Sequence, residues 1–145
     1  MRMLPDSVEV AATNGADRER LDHHSSSGPL LEVANATVRL YKNAFGRGPT
    51  RARARFAGPD TLVVLLQDTM TVSERKLAEL GEHERLRSHR LLLARALEHE
   101  IRAVVEQTLG RATLGLISGI DTHRDVAAEV IMLAPASHLD PNAPA

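Results

Sequence analysis

The sequence predicts an α+β fold: a four-stranded, mainly antiparallel sheet with helices packed on one face, in the order α-β-β-α-α-β-β. Three observations predict it. An amphipathic run with apolar residues every three or four positions ends at Gly46-Arg47-Gly48-Pro49. Two extended runs flank Gly58-Pro59-Asp60, and two more close the domain around a polar loop. Between these pairs lies a long helical stretch with a leucine-rich stripe, ended by Gly110.

Residues 1–28 read as a disordered tail. They are polar, contain Asn14-Gly15 and Ser25-Ser26-Ser27-Gly28, and keep no sustained period. His23 and His24 within it read as a solvated pair rather than a specific metal site. Pro29 suits the first turn of a helix. Leu30, Ala34, Val38, Tyr41 and Phe45 then recur at spacings of 4, 4, 3 and 4, one apolar face, with Asn35, Arg39 and Lys42 off it. Gly46 stops the helix, and Pro49 pushes Gly48 out of helical geometry.

Residues 51–57 read as the first strand. Arg51, Arg53 and Arg55 alternate there with Ala52, Ala54 and Phe56, which puts three guanidinium groups on one face. Residues 61–67 are almost continuously apolar, which predicts a central strand with both faces covered. Thr71-Val72-Ser73-Glu74 fits a capping box before a short helix that breaks at Gly81. The long helix follows, from near residue 82 to residue 109, with Leu86, Leu93, Leu97, Ile101 and Val104 as its buried stripe. Leu91, Leu92 and Val105 broaden that stripe. This helix is either buried from two sides within one domain or the interface of a homodimer. Residues 111–118 and 126–133 read as the last strands, joined by a loop over 119–125. Residues 29–135 thus form a single domain, and 136–145 a flexible proline-rich tail.

A chain of 145 residues is long enough to bury a core. The absence of cysteine excludes disulfides, thiolate metal sites and cysteine nucleophiles, and suits a cytoplasmic protein. No apolar run approaches the roughly 20 residues that span a bilayer, so any membrane role is expected to be peripheral, through a partner. Net charge is only −1. Yet Arg39, Lys42, Arg47, Arg51, Arg53 and Arg55 all fall between Val33 and Pro59, where no acidic residue occurs. With Gly48 in the turn, these are the candidate binding residues.

Arginine's planar fork suits carboxylates and phosphates, and the Gly46–Gly48 amides offer a small anion nest. The plainer alternative is a solvated strand face whose arginines pair with neighbouring acids, each pair adding about 0–1 kcal/mol. Nucleic acid is a poor match, because Tyr41, Phe45 and Phe56 are the only aromatic residues and the whole is not basic. Asp121, His123 and Asp125 are explained by turn hydrogen bonding more readily than by a metal site. No metalloprotease helix, nucleophile elbow or dinucleotide fingerprint is present. No catalytic residue, metal or cofactor is therefore expected, and the chain is not expected to be an enzyme.

Two stretches carry a family likeness: Val38-Arg39-Leu40-Tyr41-Lys42-Asn43-Ala44-Phe45-Gly46-Arg47-Gly48-Pro49, and Leu65-Leu66-Gln67-Asp68-Thr69-Met70-Thr71-Val72-Ser73-Glu74. They closely resemble the MpsC-type family, long catalogued as a domain of unknown function, and residues 119–133 resemble its closing strand pair. The likeness spans residues 30–135, and Phe-Gly-Arg-Gly-Pro after a helix is its specific part. That family is named for a bacterial sodium-translocating, membrane-potential-generating system, whose C-type component is a small soluble protein. The resemblance implies association with ion transport, not carriage of ions by this chain, and supplies no catalytic residue. The expectation is a non-catalytic cytoplasmic accessory or adaptor protein. It would bind a partner, such as a membrane transporter subunit, through the basic helix-turn-strand surface. The alternative is a regulatory protein that binds a small anion, a nucleotide or nucleic acid there.

Overall fold

The computed structural model describes residues 7–11 and 28–135. The elements in chain order are β1 (Ser7–Ala11), α1 (Gly28–Phe45), β2 (Arg51–Phe56), β3 (Thr61–Gln67), α2 (Val72–Glu79), α3 (His83–Leu109), β4 (Thr113–Asp121) and β5 (Val126–Leu133). The four expected strands pair antiparallel, and β1 adds an edge strand beside β2, for a spatial order β1-β2-β3-β5-β4. Ser7–Ala11 falls in the stretch expected to be a tail. Its Ser-Val-Glu-Val-Ala alternation has the period of a strand, and β2 offers it an edge to pair with. His23, His24 and the expected C-terminal tail lie outside the described residues.

Helices α1 and α3 pack on one face of the sheet. Ala52 and Ala54 of β2, Leu62, Val64 and Leu66 of β3, and Ala127, Ile131 and Leu133 of β5 are buried beneath them. They join Leu30, Leu31, Val33, Ala34 and Tyr41 of α1 and Leu97, Ile101 and Val105 of α3 in one core. Each fully buried leucine or isoleucine contributes roughly 1.5–3 kcal/mol. The two alanines of β2 take little space, which lets α1 lie close over that strand.

Strand β3 is central, as its sequence predicts, and among the described residues helices cover one of its faces. Burial alternates along it, with Val63 and Leu65 half-buried on the side away from the helices. The continuous apolar run reflects a second face that is itself apolar and that no described helix covers.

Two further differences bear on the site. Strand β4 runs on to Asp121, because Gly119, Ile120 and Asp121 keep pairing with Ala128, Ala127 and Val126. The Asp121 carboxylate then closes the turn by accepting the His123 and Arg124 amides at 3.0 and 3.1 Å. In α3, Leu86, Leu97, Ile101 and Val105 are buried, while Leu91 and Leu92 are exposed by 39% and 62%. Within the described domain the helix is therefore buried from one side.

Candidate binding surface

The turn after α1 is built by two glycines acting differently. Gly46 has φ 81°, in the left-handed region, and its amide caps the helix by donating to the Lys42 carbonyl at 2.9 Å. Gly48 answers a close approach instead: a Cβ there would lie 3.2 Å from the Val38 carbonyl oxygen. Between them Arg47 turns inward. Its guanidinium grips the Asp68 carboxylate with two bonds, 3.3 and 3.1 Å, and donates to the Met70 carbonyl. Arg75 of α2 closes on the same carboxylate. The hydrogen bond from Arg47, aided by the charges of Arg47 and Arg75, holds the Asp68 carboxyl below its ordinary range, although burial opposes this. Arg47 thus ties the α1–β2 turn to the β3–α2 loop.

The remaining candidate residues are divided between two sides of the domain. Arg39 and Lys42 are exposed on α1. Arg51, Arg53 and Arg55 alternate with the buried Ala52 and Ala54, so they stand on the open face of the sheet, opposite the helices. The basic run is continuous in sequence and divided in space. The cross-strand rows show what the strand arginines do adjoin. One row reads Ser7, Arg55, Val63, Val130, Ile117, and the next reads Glu9, Arg53, Leu65, Ala128, Gly119, so Arg53 has an acid on one side and an apolar residue on the other. Ile117 and Met132 on this face are 61% and 41% exposed. Among the described residues, the arginines of β2 therefore stand between β1 and an apolar sheet surface that no helix covers. The apolar half of this surface was readable from the period of β3 and β5, but only once one layer of helices, not two, is known to cover the sheet.

Residues 31–135 match the family described as the Na+-translocating membrane potential-generating system (MpsC). The chain belongs to the MpsC family. No curated protein and no solved structure is significantly similar to it.

Both stretches that suggested the MpsC likeness meet at one end of the sheet, where a buried polar network holds them. Arg90 of α3, 5% exposed, donates to the two Glu74 carboxylate oxygens at 2.7 and 3.0 Å and to the Thr69 carbonyl at 2.8 Å. Its guanidinium lies 4.5 Å from the centre of the Phe45 ring. Burial works against ionisation of Glu74. Bonds from Arg90 and from the Thr71 amide outweigh it and keep the carboxyl below its ordinary range. Glu74 also completes the capping box of α2, accepting the Thr71 amide at 2.9 Å while Thr71 accepts the Glu74 amide at 3.2 Å.

Asp125, at the β4–β5 turn, accepts the Thr69 amide and hydroxyl at 2.8 and 2.9 Å and the Met70 amide at 3.0 Å. The Asp121 carboxylate thus serves its own turn, whereas Asp125 ties that turn to the β3–α2 loop. His123 stacks on His83 with ring centres 3.8 Å apart, and His83 bonds the Thr122 hydroxyl at 2.8 Å. These loops border an open cleft of about 590 Å³, where Arg51, Arg75 and Arg124 face Asp68, Glu79 and Asp125. Its charges balance.

Proposed function

We propose that this MpsC-family chain is a non-catalytic accessory component of a Na+-translocating, membrane-potential-generating system, and that it acts by binding a protein partner on the open face of its sheet. The observation that carries this reading is an apolar sheet face that no described helix covers, with the basic strand β2 beside it. An antiparallel sheet with one face in water normally alternates apolar-in with polar-out. Here Val63, Leu65, Val130, Ile117 and Met132 are apolar on the outward side as well. Large exposed apolar patches with a polar rim mark interaction sites.

The chemistry of the face defines its partner: an apolar protein surface with carboxylates at its edge. The stem of Arg55 extends the apolar contact, and its head suits a carboxylate of the partner. Among the described residues no helix is long and apolar enough to cross a membrane, so contact with a membrane subunit fits a docking surface. The cleft is a weaker place for a small anion, since three acidic side chains offset its arginines.

The test is capture of a tagged chain's partners from detergent-solubilised membranes, comparing wild type with Arg51→Glu/Arg55→Glu. Wild type is expected to retain an ion-transport subunit and the variant to lose it, with equal circular dichroism and thermal midpoint. A variant that retains the subunit, or a wild type that retains none, overturns the proposal.

A further inference from the structure

Strand β4 is the far edge of the described sheet, nine residues long. Edge strands of monomers are usually blunted by brevity, by lysine or proline, by a bulge or by an inward charge. Thr113-Leu-Gly-Leu-Ile-Ser-Gly-Ile120 holds neither a charge nor a proline. Its one irregularity lies at its start, between Thr113 and Gly115, where Arg102 and Glu106 of α3 already bond Thr113. Beyond that point no described strand pairs with the edge, and Leu114 and Ile117 are exposed by 65% and 61%.

The flank of α3 beside this edge carries a pattern of its own. Leu91, Arg95, Glu98, Arg102 and Glu106 follow at spacings of 4, 3, 4 and 4, one stripe of a helix. The bonds from Arg102 and Glu106 to Thr113 turn that stripe toward β4, and Leu91 borders the same small hollow as Gly119 and Ile120. The charges along it alternate: base, acid, base, acid. Read in reverse, as a two-fold axis requires, every base meets an acid.

We propose that this edge and flank bind a second copy of the chain, with β4 pairing antiparallel to its counterpart about a two-fold axis near Ile117 and the two α3 helices side by side. The two sheets become one continuous sheet, which satisfies the edge backbone groups of both copies. The axis sets Gly115 against Gly119 of the copy, so the two Ile117 side chains pack together over flanking glycines. The charge pattern of α3 selects this occupant: an unrelated strand would satisfy the backbone but not the reversed alternation of Arg95, Glu98, Arg102 and Glu106. This assembly does not rest on the partner proposed for the open face, although Ile117 belongs to both surfaces.

The test uses the full chain, which has no cysteine. Light scattering on wild type is expected to give twice the chain mass. Directly opposed residues of an antiparallel pair lie about 4.5–5.5 Å apart at Cα, within disulfide range. Ile117→Cys is therefore expected to form a disulfide-linked dimer under mild oxidation, whereas Val63→Cys, two strands in from that edge, is expected not to. Arg95→Glu sets like charges together and is expected to weaken association at least tenfold while keeping the circular dichroism spectrum. A monomeric wild type overturns the proposal, and so does a dimer that Val63→Cys links and Ile117→Cys does not.

Discussion

Glu129 sits in the core of the sheet, 1% exposed, where its carboxyl accepts from the Tyr41 hydroxyl at 3.2 Å and the Ser118 hydroxyl at 3.0 Å. Burial pushes it up to about 7, against the bonds from Ser118 and Tyr41 and with the help of Glu98. The folded protein thus keeps a proton that the unfolded chain releases near pH 4.5. That stabilisation is complete below this value and disappears as pH rises through about 7. The urea midpoint is expected to fall between pH 5 and pH 8, and Glu129→Gln to flatten the decline. A wild-type midpoint that rises over this interval contradicts the assignment.

Arg90 is the second residue on which the site depends. Arg90→Ala leaves Glu74 buried without its main partner, which is expected to cost about 3–5 kcal/mol in urea denaturation. Both positions carried a signal in the sequence. Arg90 lies four residues from Leu86 on the buried stripe of α3, and Glu129 shares the inward parity of Ala127 and Ile131 in β5. A charge on a buried face requires a partner, but which one depends on contacts far along the chain, Tyr41 for Glu129 among them.

The elements fold largely as their local patterns dictate. The capping box of α2 forms as spelled, and Gly110 ends α3 at φ 66° with its amide on the Glu106 carbonyl at 2.9 Å. Thr71→Ala is expected to cost about 1 kcal/mol of stability, measured by urea denaturation. The turn from α1 to β2 is where local reading was least sufficient. Its arginine looked like part of a surface, yet the acid that claims it is Asp68, 21 residues away across a strand pair. Arg47→Ala is accordingly expected to lower stability by about 1–3 kcal/mol, because the Met70 carbonyl and the Asp68 carboxylate lose their donor. An unchanged midpoint would show that this tie does not hold the turn.

Among the described residues, one layer of helices covers one side of the sheet, and the other side is apolar with the arginines of β2 beside it. Period-two alternation placed the arginines on a common face, but hydropathy alone did not reveal which faces the helices leave bare. Those arginines stand opposite Arg39 and Lys42 of α1, so the two halves of the basic run present different surfaces. Site-specific photo-crosslinking in living cells separates these surfaces directly. A crosslinker at Met132, exposed on the open face, is expected to yield an adduct with an ion-transport subunit, and one at Arg39 is expected to yield none. An adduct from Arg39 alone would place the partner on the helical side and contradict the account.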